Sequence, residues 1–259
     1  MNLEYQAAVV TGAGSGLGEA VARALARAGA RVALLDINLD AATRVAADMR
    51  QQGGHALALR CDISDADSAT AALDEAAAAH GPTRVLMNIA GVGGAKRIIQ
   101  RDGSAAPLDD FERTLRINLL GTYNMVRLMA ARAALLEPME DGERGVIVNT
   151  ASVAAFDGQV GQEAYAASKA GIAGMTLPLA RDLAQWGIRV CTIAPGIFAT
   201  PLLKELPQVV QQSLADAIPF PKRLGHPDEF AALALHIASN GHLNGEVIRL
   251  DGALRLAPR

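Results

Sequence analysis

The chain has 259 residues, 51% hydrophobic, 20% charged and 3% aromatic, with 25 Gly, 11 Pro and a formal charge of −3. Surface scaling at this size buries roughly 70% of the extended chain, so a core forms without staples and the disordered, collagen-like and disulfide-framework classes are excluded. The weakly acidic balance and the scarcity of aromatics (one Trp, three Tyr, five Phe) argue against nucleic acid or an anionic membrane as the main partner.

Short apolar runs alternate with longer segments of helical period. The polar start through Gln6 has no basic region or cleavage pattern, so no secretory signal is expected, and residues 7–11 read as the first strand. Then follow a helix over 17–28, a strand over 31–36, a helix over 39–52, a strand over 56–62, a helix over 65–80 and a strand over 85–88. A long helix is predicted over 108–136, a strand over 146–150, a helix over 163–185, a strand over 189–194, a helix over 227–238 and a last strand over 246–250. This order predicts an α/β fold, a doubly wound parallel sheet of about seven strands in one domain spanning residues 1–259.

Two connections, 91–110 and 195–222, are longer than ordinary ones and both follow strands. They read as substrate loops at the carboxyl edge of the sheet, where open α/β sheets bind ligands. The longest apolar stretch, 170–180, includes Gly171, Gly174, Thr176 and Pro178 and is well short of the ~20 residues of a membrane span. Cys61 and Cys191 read as small buried hydrophobes. A cytoplasmic protein is expected.

Thr11-Gly12-Ala13-Gly14-Ser15-Gly16-Leu17-Gly18 lies between the first strand and the first helix. Its glycines permit a tight turn and let the backbone approach a pyrophosphate, whose charge meets the N–H groups of the helix start. Asp36 ends the second strand, where its carboxylate can accept from adenosine ribose hydroxyls and repel a 2′-phosphate. Ser15 stands where a Lys or Arg would favour that phosphate, so NAD is predicted over NADP.

The spacing Thr-Gly-x-x-x-Gly-x-Gly resembles the fingerprint of the classical short-chain dehydrogenase/reductase family, which implies a Rossmann fold. Asp62-Ile63 resembles the family's adenine-contacting pair, and Asn88-Ile89-Ala90-Gly91 resembles its Asn-Asn-Ala-Gly segment. Pro195-Gly196 with Phe198 and Thr200 resembles the segment that contacts the nicotinamide carboxamide.

Tyr165 and Lys169 are four residues apart on a predicted helix, hence on one face. A phenol titrates near pH 10, and a fixed neighbouring cation favours the phenolate, moving it toward the range of a working base. With Asn118 and Ser152 these two match the family's Asn-Ser-Tyr-Lys tetrad in order and spacing. The resemblance implies that Tyr165 exchanges the proton of the substrate hydroxyl and that Ser152 hydrogen-bonds the same oxygen. It also implies that Lys169 lowers the Tyr165 pKa and holds the nicotinamide ribose, while Asn118 kinks its helix and anchors a relay water. The five histidines lack metal-ligand spacing and read as solvated or capping, and with no Gly-x-Ser-x-Gly elbow Ser152 reads as a hydrogen-bond donor, not a nucleophile.

Residues 145–162, 174–178 and 243–253 are similar to the type 2 short-chain 3-hydroxyacyl-CoA dehydrogenases. This implies NAD-dependent oxidation of L-3-hydroxyacyl-CoA, including 2-methyl-branched chains, by a homotetramer, with the 163–185 helix as a packing candidate. Lys96, Arg97 and Arg101 read as solvated loop charge in preference to contacts with CoA phosphates. Another secondary alcohol or ketone (a steroid or an acyl-carrier-protein ester) and a non-catalytic NAD-binding scaffold stay open as alternatives.

Overall fold

The computed structural model describes residues 1–258, apart from the side chains of Leu202 and Lys204. Its strands are β1 (Ala7–Thr11), β2 (Arg31–Asp36), β3 (His55–Arg60), β4 (Thr83–Asn88), β5 (Gly145–Thr150), β6 (Ile188–Pro195) and β7 (Val247–Leu250). All pair in parallel, in the order β3-β2-β1-β4-β5-β6-β7. Successive strand residues point to opposite faces, and here both sets are apolar. Ala8, Val10, Val32, Leu34, Val146 and Val148 enter one core, while Val9, Ala33, Leu35, Leu86 and Ile147 enter the other.

Helices α1 (Gly16–Arg27) and α2 (Leu39–Gln51) cover the first face, together with the later helix over Pro227–Ser239; Val21, Leu25, Val45, Phe230 and Ile237 are buried there. On the second face α3 (Ala66–His80) contributes Ala69, Ala72, Leu73 and Ala76, and α5 (Gly121–Ala133) contributes Met125, Val126 and Met129. The predicted strands and the first three helices agree with the structure to within two residues at each end. Because the order of strands reverses between β1 and β4, the loops leaving these two strands diverge and open a crevice at the carboxyl edge.

Two expectations are corrected. The helix predicted over 108–136 is three pieces: α4 (Leu108–Leu115), a π-helical turn (Arg116–Leu120) and α5. The 195–222 connection is not a plain loop, since it holds α7 (Pro201–Lys204) and α8 (Gln208–Asp216). Pro201 takes the first position of α7, where a fixed φ is pre-set for a helix and the missing N–H costs nothing. The remaining helices are α6 (Glu163–Leu183), followed by a 3-10 turn, and α9 (Pro227–Ser239). Among the described residues no helix is long and apolar enough to cross a membrane.

Candidate active site

The crevice at the β1/β4 switch encloses about 710 Å³. Of the residues expected around a dinucleotide, Gly12, Ser15, Gly16, Leu17, Gly18, Asp36, Asp62, Ile63, Ile89, Ala90 and Thr200 line it. Helix α1 starts at its floor with Ser15 as N-cap, and no side chain caps it, so its first-turn N–H groups are left for a ligand. Gly18 is required by close approach: a Cβ there would overlap the Gly12 carbonyl. Gly18→Ala is therefore expected to push the first turn of α1 off the β1 turn. Titration with NADH should show at least about tenfold weaker binding, together with a lower unfolding temperature.

Asp36 has a second task that the sequence did not disclose. Its Oδ2 accepts from the Gly14 N–H (2.9 Å) and its Oδ1 from the Asn38 N–H (2.9 Å), so it braces the glycine turn as well as facing the crevice. A carboxylate has about four acceptor positions, so lone pairs remain for ribose hydroxyls. Thr11 also went unnoticed as a brace: its Oγ1 accepts from the N–H groups of Ile89 (3.0 Å) and Ala90 (3.1 Å), joining the two loops of the crevice. This set of open helix-terminal donors, close-approach glycines and a carboxylate at the end of β2 fits a dinucleotide.

Five expected cofactor contacts do not line the crevice: Asn88, Pro195 and Phe198, and also Tyr165 and Lys169. Asn88 is buried and donates to Asn149 Oδ1 (2.9 Å). Pro195 is buried at the end of β6. The Phe198 ring packs edge-on against Phe230, with centroids 6.2 Å apart, and the backbone on either side of it is paired with Gly225.

Of the four candidate catalytic residues, Asn118 and Lys169 lie beside Gly91, which lines the crevice, while Tyr165 adjoins Lys169 and Ser152 adjoins Tyr165. A Cβ on Gly91 would come within 3.1 Å of Asn118 Oδ1 and 3.4 Å of Lys169 Nζ. Asn118, in the π turn, donates to Val92 O (2.9 Å) and Ser168 Oγ (3.0 Å) and accepts from the Val92 N–H (2.8 Å). Ser168 Oγ in turn donates to Tyr165 O (2.8 Å). The amide of Asn118 thus ties the loop after β4 to α6 one turn from Tyr165. Ser168, which sequence reasoning passed over, was visible in Tyr-Ala-Ala-Ser-Lys as a hydroxyl three residues after the tyrosine, a spacing that permits this backward bond.

Lys169 is buried, with Nζ donating to Thr150 O (2.8 Å) and lying 5.8 Å from the centroid of the Tyr165 ring. Burial lowers the ammonium to about 8. The Tyr165 phenol is raised, with burial outweighing a hydrogen bond to Ser152 that acts the other way. Desolvation thus dominates at the phenol, and the Lys169 ammonium is itself weakened by the same dry surroundings.

A second cavity of about 440 Å³ adjoins α6 through Glu163 and Ala164, just before Tyr165. The 91–107 loop and α4 form its apolar wall, with Ile98, Ala106, Pro107, Leu108 and Phe111. Arg113 lines both this cavity and the crevice. Lys96 pairs with Asp110 on the surface, and both side chains are exposed, in keeping with solvated loop charge.

Residues 6–211 match the family model described as short chain dehydrogenase. The chain is 49% identical over 252 residues to a 3-hydroxyacyl-CoA dehydrogenase type-2 of Drosophila melanogaster, covering 97% of this chain and 98% of that one. A Homo sapiens protein of the same name is 49% identical over 252 residues, covering 97% and 95%. The crystal structure of a 3-hydroxyacyl-CoA dehydrogenase type-2 from Mycobacterium avium superposes with a TM-score of 0.93 at 45% identity, covering 98% of this chain and 97% of that one. The glycine turn at a parallel-sheet switch point and a tyrosine and lysine one helical turn apart beside it agree with these likenesses, and the chain belongs to the short-chain dehydrogenase family.

Proposed function

We propose that this protein oxidises L-3-hydroxyacyl-CoA thioesters, including short and 2-methyl-branched ones, to 3-oxoacyl-CoA with NAD. The observation that carries this reading is the near full-length similarity to type-2 3-hydroxyacyl-CoA dehydrogenases. An apolar cavity lined by Glu163 and Ala164 of the helix that carries Tyr165 supports it.

Nicotinamide, when bound, accepts the hydride of the carbinol carbon. The protein's part is to hold and move the proton. Tyr165 Oη takes the proton of the C3 hydroxyl while Ser152 Oγ donates to the same oxygen, stabilising charge as it develops. In the reductive direction Tyr165 returns that proton. Lys169 holds positive charge beside the phenol and can reach the ribose of the cofactor. With the Asn118 amide committed to Val92 and Ser168, a relay water at this residue would have to use its main-chain carbonyl.

Asp36 selects NAD by meeting a 2′-phosphate with like charge. Preference for NAD over NADP in kcat/KM is expected to exceed ~10²-fold and to fall at least about tenfold in Asp36→Asn. A wild-type preference for NADP would overturn this assignment.

NADH formation with L- and D-3-hydroxyacyl-CoAs, secondary alcohols and steroids tests the whole reading. L-3-hydroxyacyl-CoA should be turned over most efficiently, and no turnover of any acyl-CoA would refute it. We infer a homotetramer from the family resemblance, supported by the exposed Leu120 at the end of the π turn, Tyr123 in α5 and Leu177 in α6. Sedimentation gives the check. Two free, buried thiols, Cys61 and Cys191, suit the reducing cytoplasm.

A further inference from the structure

Ser152 and Tyr165 stand at the two ends of one connection, a 3-10 turn over Val153–Ala155 followed by residues 156–162. Two glycines, Gly158 and Gly161, deprive this connection of intrinsic stiffness. It is fastened from outside, by the end of the chain. Arg249, in β7, donates from Nη1 to Asp157 Oδ1 (3.2 Å) and from Nη2 to Asp157 Oδ2 (2.5 Å). The same guanidinium donates from Nε to Asp251 Oδ2 (2.7 Å) and from Nη2 to Leu254 O (2.9 Å), and lies 5.4 Å from the Phe156 ring centroid. Further along, Gln159 Nε2 donates to Ala257 O (2.9 Å) and the Val160 N–H to Pro258 O (3.1 Å). On the other side Gly161 O accepts from the Lys96 N–H (2.7 Å), so the 91–107 loop of the second cavity hangs from the same connection.

We propose that Arg249 is a positioning residue of the reaction: by gripping Asp157 and Phe156 it sets the separation of Ser152 from Tyr165 and the seat of the loop that walls the second cavity. The inference rests on the roles given to Ser152 and Tyr165 above. A planar guanidinium that forks onto one carboxylate while its third nitrogen holds another fixes direction as well as distance. Displacement of a reacting group by ~1 Å can cost on the order of 10²-fold in rate. Arg249 does not line the nucleotide crevice, so cofactor affinity is not expected to depend on it.

The experiment compares Arg249→Met, Arg249→Lys, Asp157→Ala and the Arg249→Met/Asp157→Ala double variant with wild type, using 3-hydroxybutyryl-CoA and NAD. Steady-state kcat, NADH affinity by fluorescence and the unfolding midpoint are measured for each. Arg249→Met and Asp157→Ala are each expected to lower kcat about tenfold, with NADH affinity within about twofold and unfolding well above the assay temperature. The double variant should be no slower than the worse single one, because both remove the same grip. Arg249→Lys should recover part of the loss, since a point charge reaches one carboxylate and not two. Arg132→Ala, which breaks the Arg132–Asp74 pair between α5 and α3, should leave kcat unchanged.

Three results overturn the inference: kcat within twofold of wild type in Arg249→Met, an equal loss of kcat and NADH affinity, or multiplying losses in the double variant. Wild-type protein inactive on every 3-hydroxyacyl-CoA overturns the substrate reading and this inference with it. An active wild type with an unaffected Arg249→Met overturns the inference alone.

Discussion

Tyr165→Phe is expected to lower kcat by roughly 10²–10⁴-fold, the range in which a positioned acid or base contributes. The substitution removes one hydroxyl and keeps the ring, so the half-buried packing of Tyr165 and the cation above it are retained. NADH affinity should stay within about twofold. The unfolding temperature should move little, because among the described residues the side-chain hydrogen bond that bears on the phenol is the one to Ser152. Loss of affinity together with rate would mean a binding role; near wild-type turnover would remove Tyr165 from the chemistry altogether.

The direction of the pH dependence follows from the same groups. Oxidation needs the phenol without its proton, and burial raises its pKa, so kcat/KM for oxidation should rise with pH into the alkaline range. Reduction needs the protonated phenol and should fall over the same interval. Lys169, lowered to about 8, titrates within that window, so the limbs belong to the pair of groups. The part of each limb that the phenol carries should vanish in Tyr165→Phe, leaving only the titration of Lys169.

What the sequence disclosed and what it hid divide along physical lines. Strands β1 and β2 were legible to the residue because both faces are buried and an unbroken apolar run is ended by Thr11 and Asp36. The glycine turn was legible because close approach admits no other residue at Gly18. The π turn was not, because the apolar period continues smoothly from α4 into α5 and one extra backbone residue leaves no mark on composition. The resemblance implied only a kink at Asn118. Helices α7 and α8 went unread inside the long 195–222 connection, where Pro201 and Pro207 sit at the starts of helices. Phe198 shows a different limit: a motif gives the path of the backbone and not the direction of a ring, which here turned toward Phe230.

Lys169→Met is expected to abolish useful turnover while making the protein more stable at neutral pH. The ammonium is buried, and its pKa falls from 10.5 to about 8 because the charged form is deprived of water. Burying that charge costs on the order of 3 kcal/mol. Methionine fills similar volume without the charge, but it leaves Thr150 O without its donor, a loss of about 1–3 kcal/mol. The net gain at pH 7 is therefore about 1 kcal/mol, or ~2–4 °C in unfolding temperature. The pH dependence is the sharper test. A lysine whose folded pKa is depressed bears its full burial cost below about pH 8 and sheds it as pH rises toward 10.5, where the unfolded chain loses its proton too. Wild-type stability relative to Lys169→Met should accordingly improve by about 3 kcal/mol between pH 7 and pH 10.5, read from denaturant unfolding of both proteins across that interval. A stability difference that stays flat with pH would mean that Lys169 is well solvated, and its charge would then lack the dry surroundings through which it is to act on Tyr165. A stabilised, inactive variant would instead place the cost of this lysine where the chemistry needs it, in a cation kept beside the phenol against the preference of the fold.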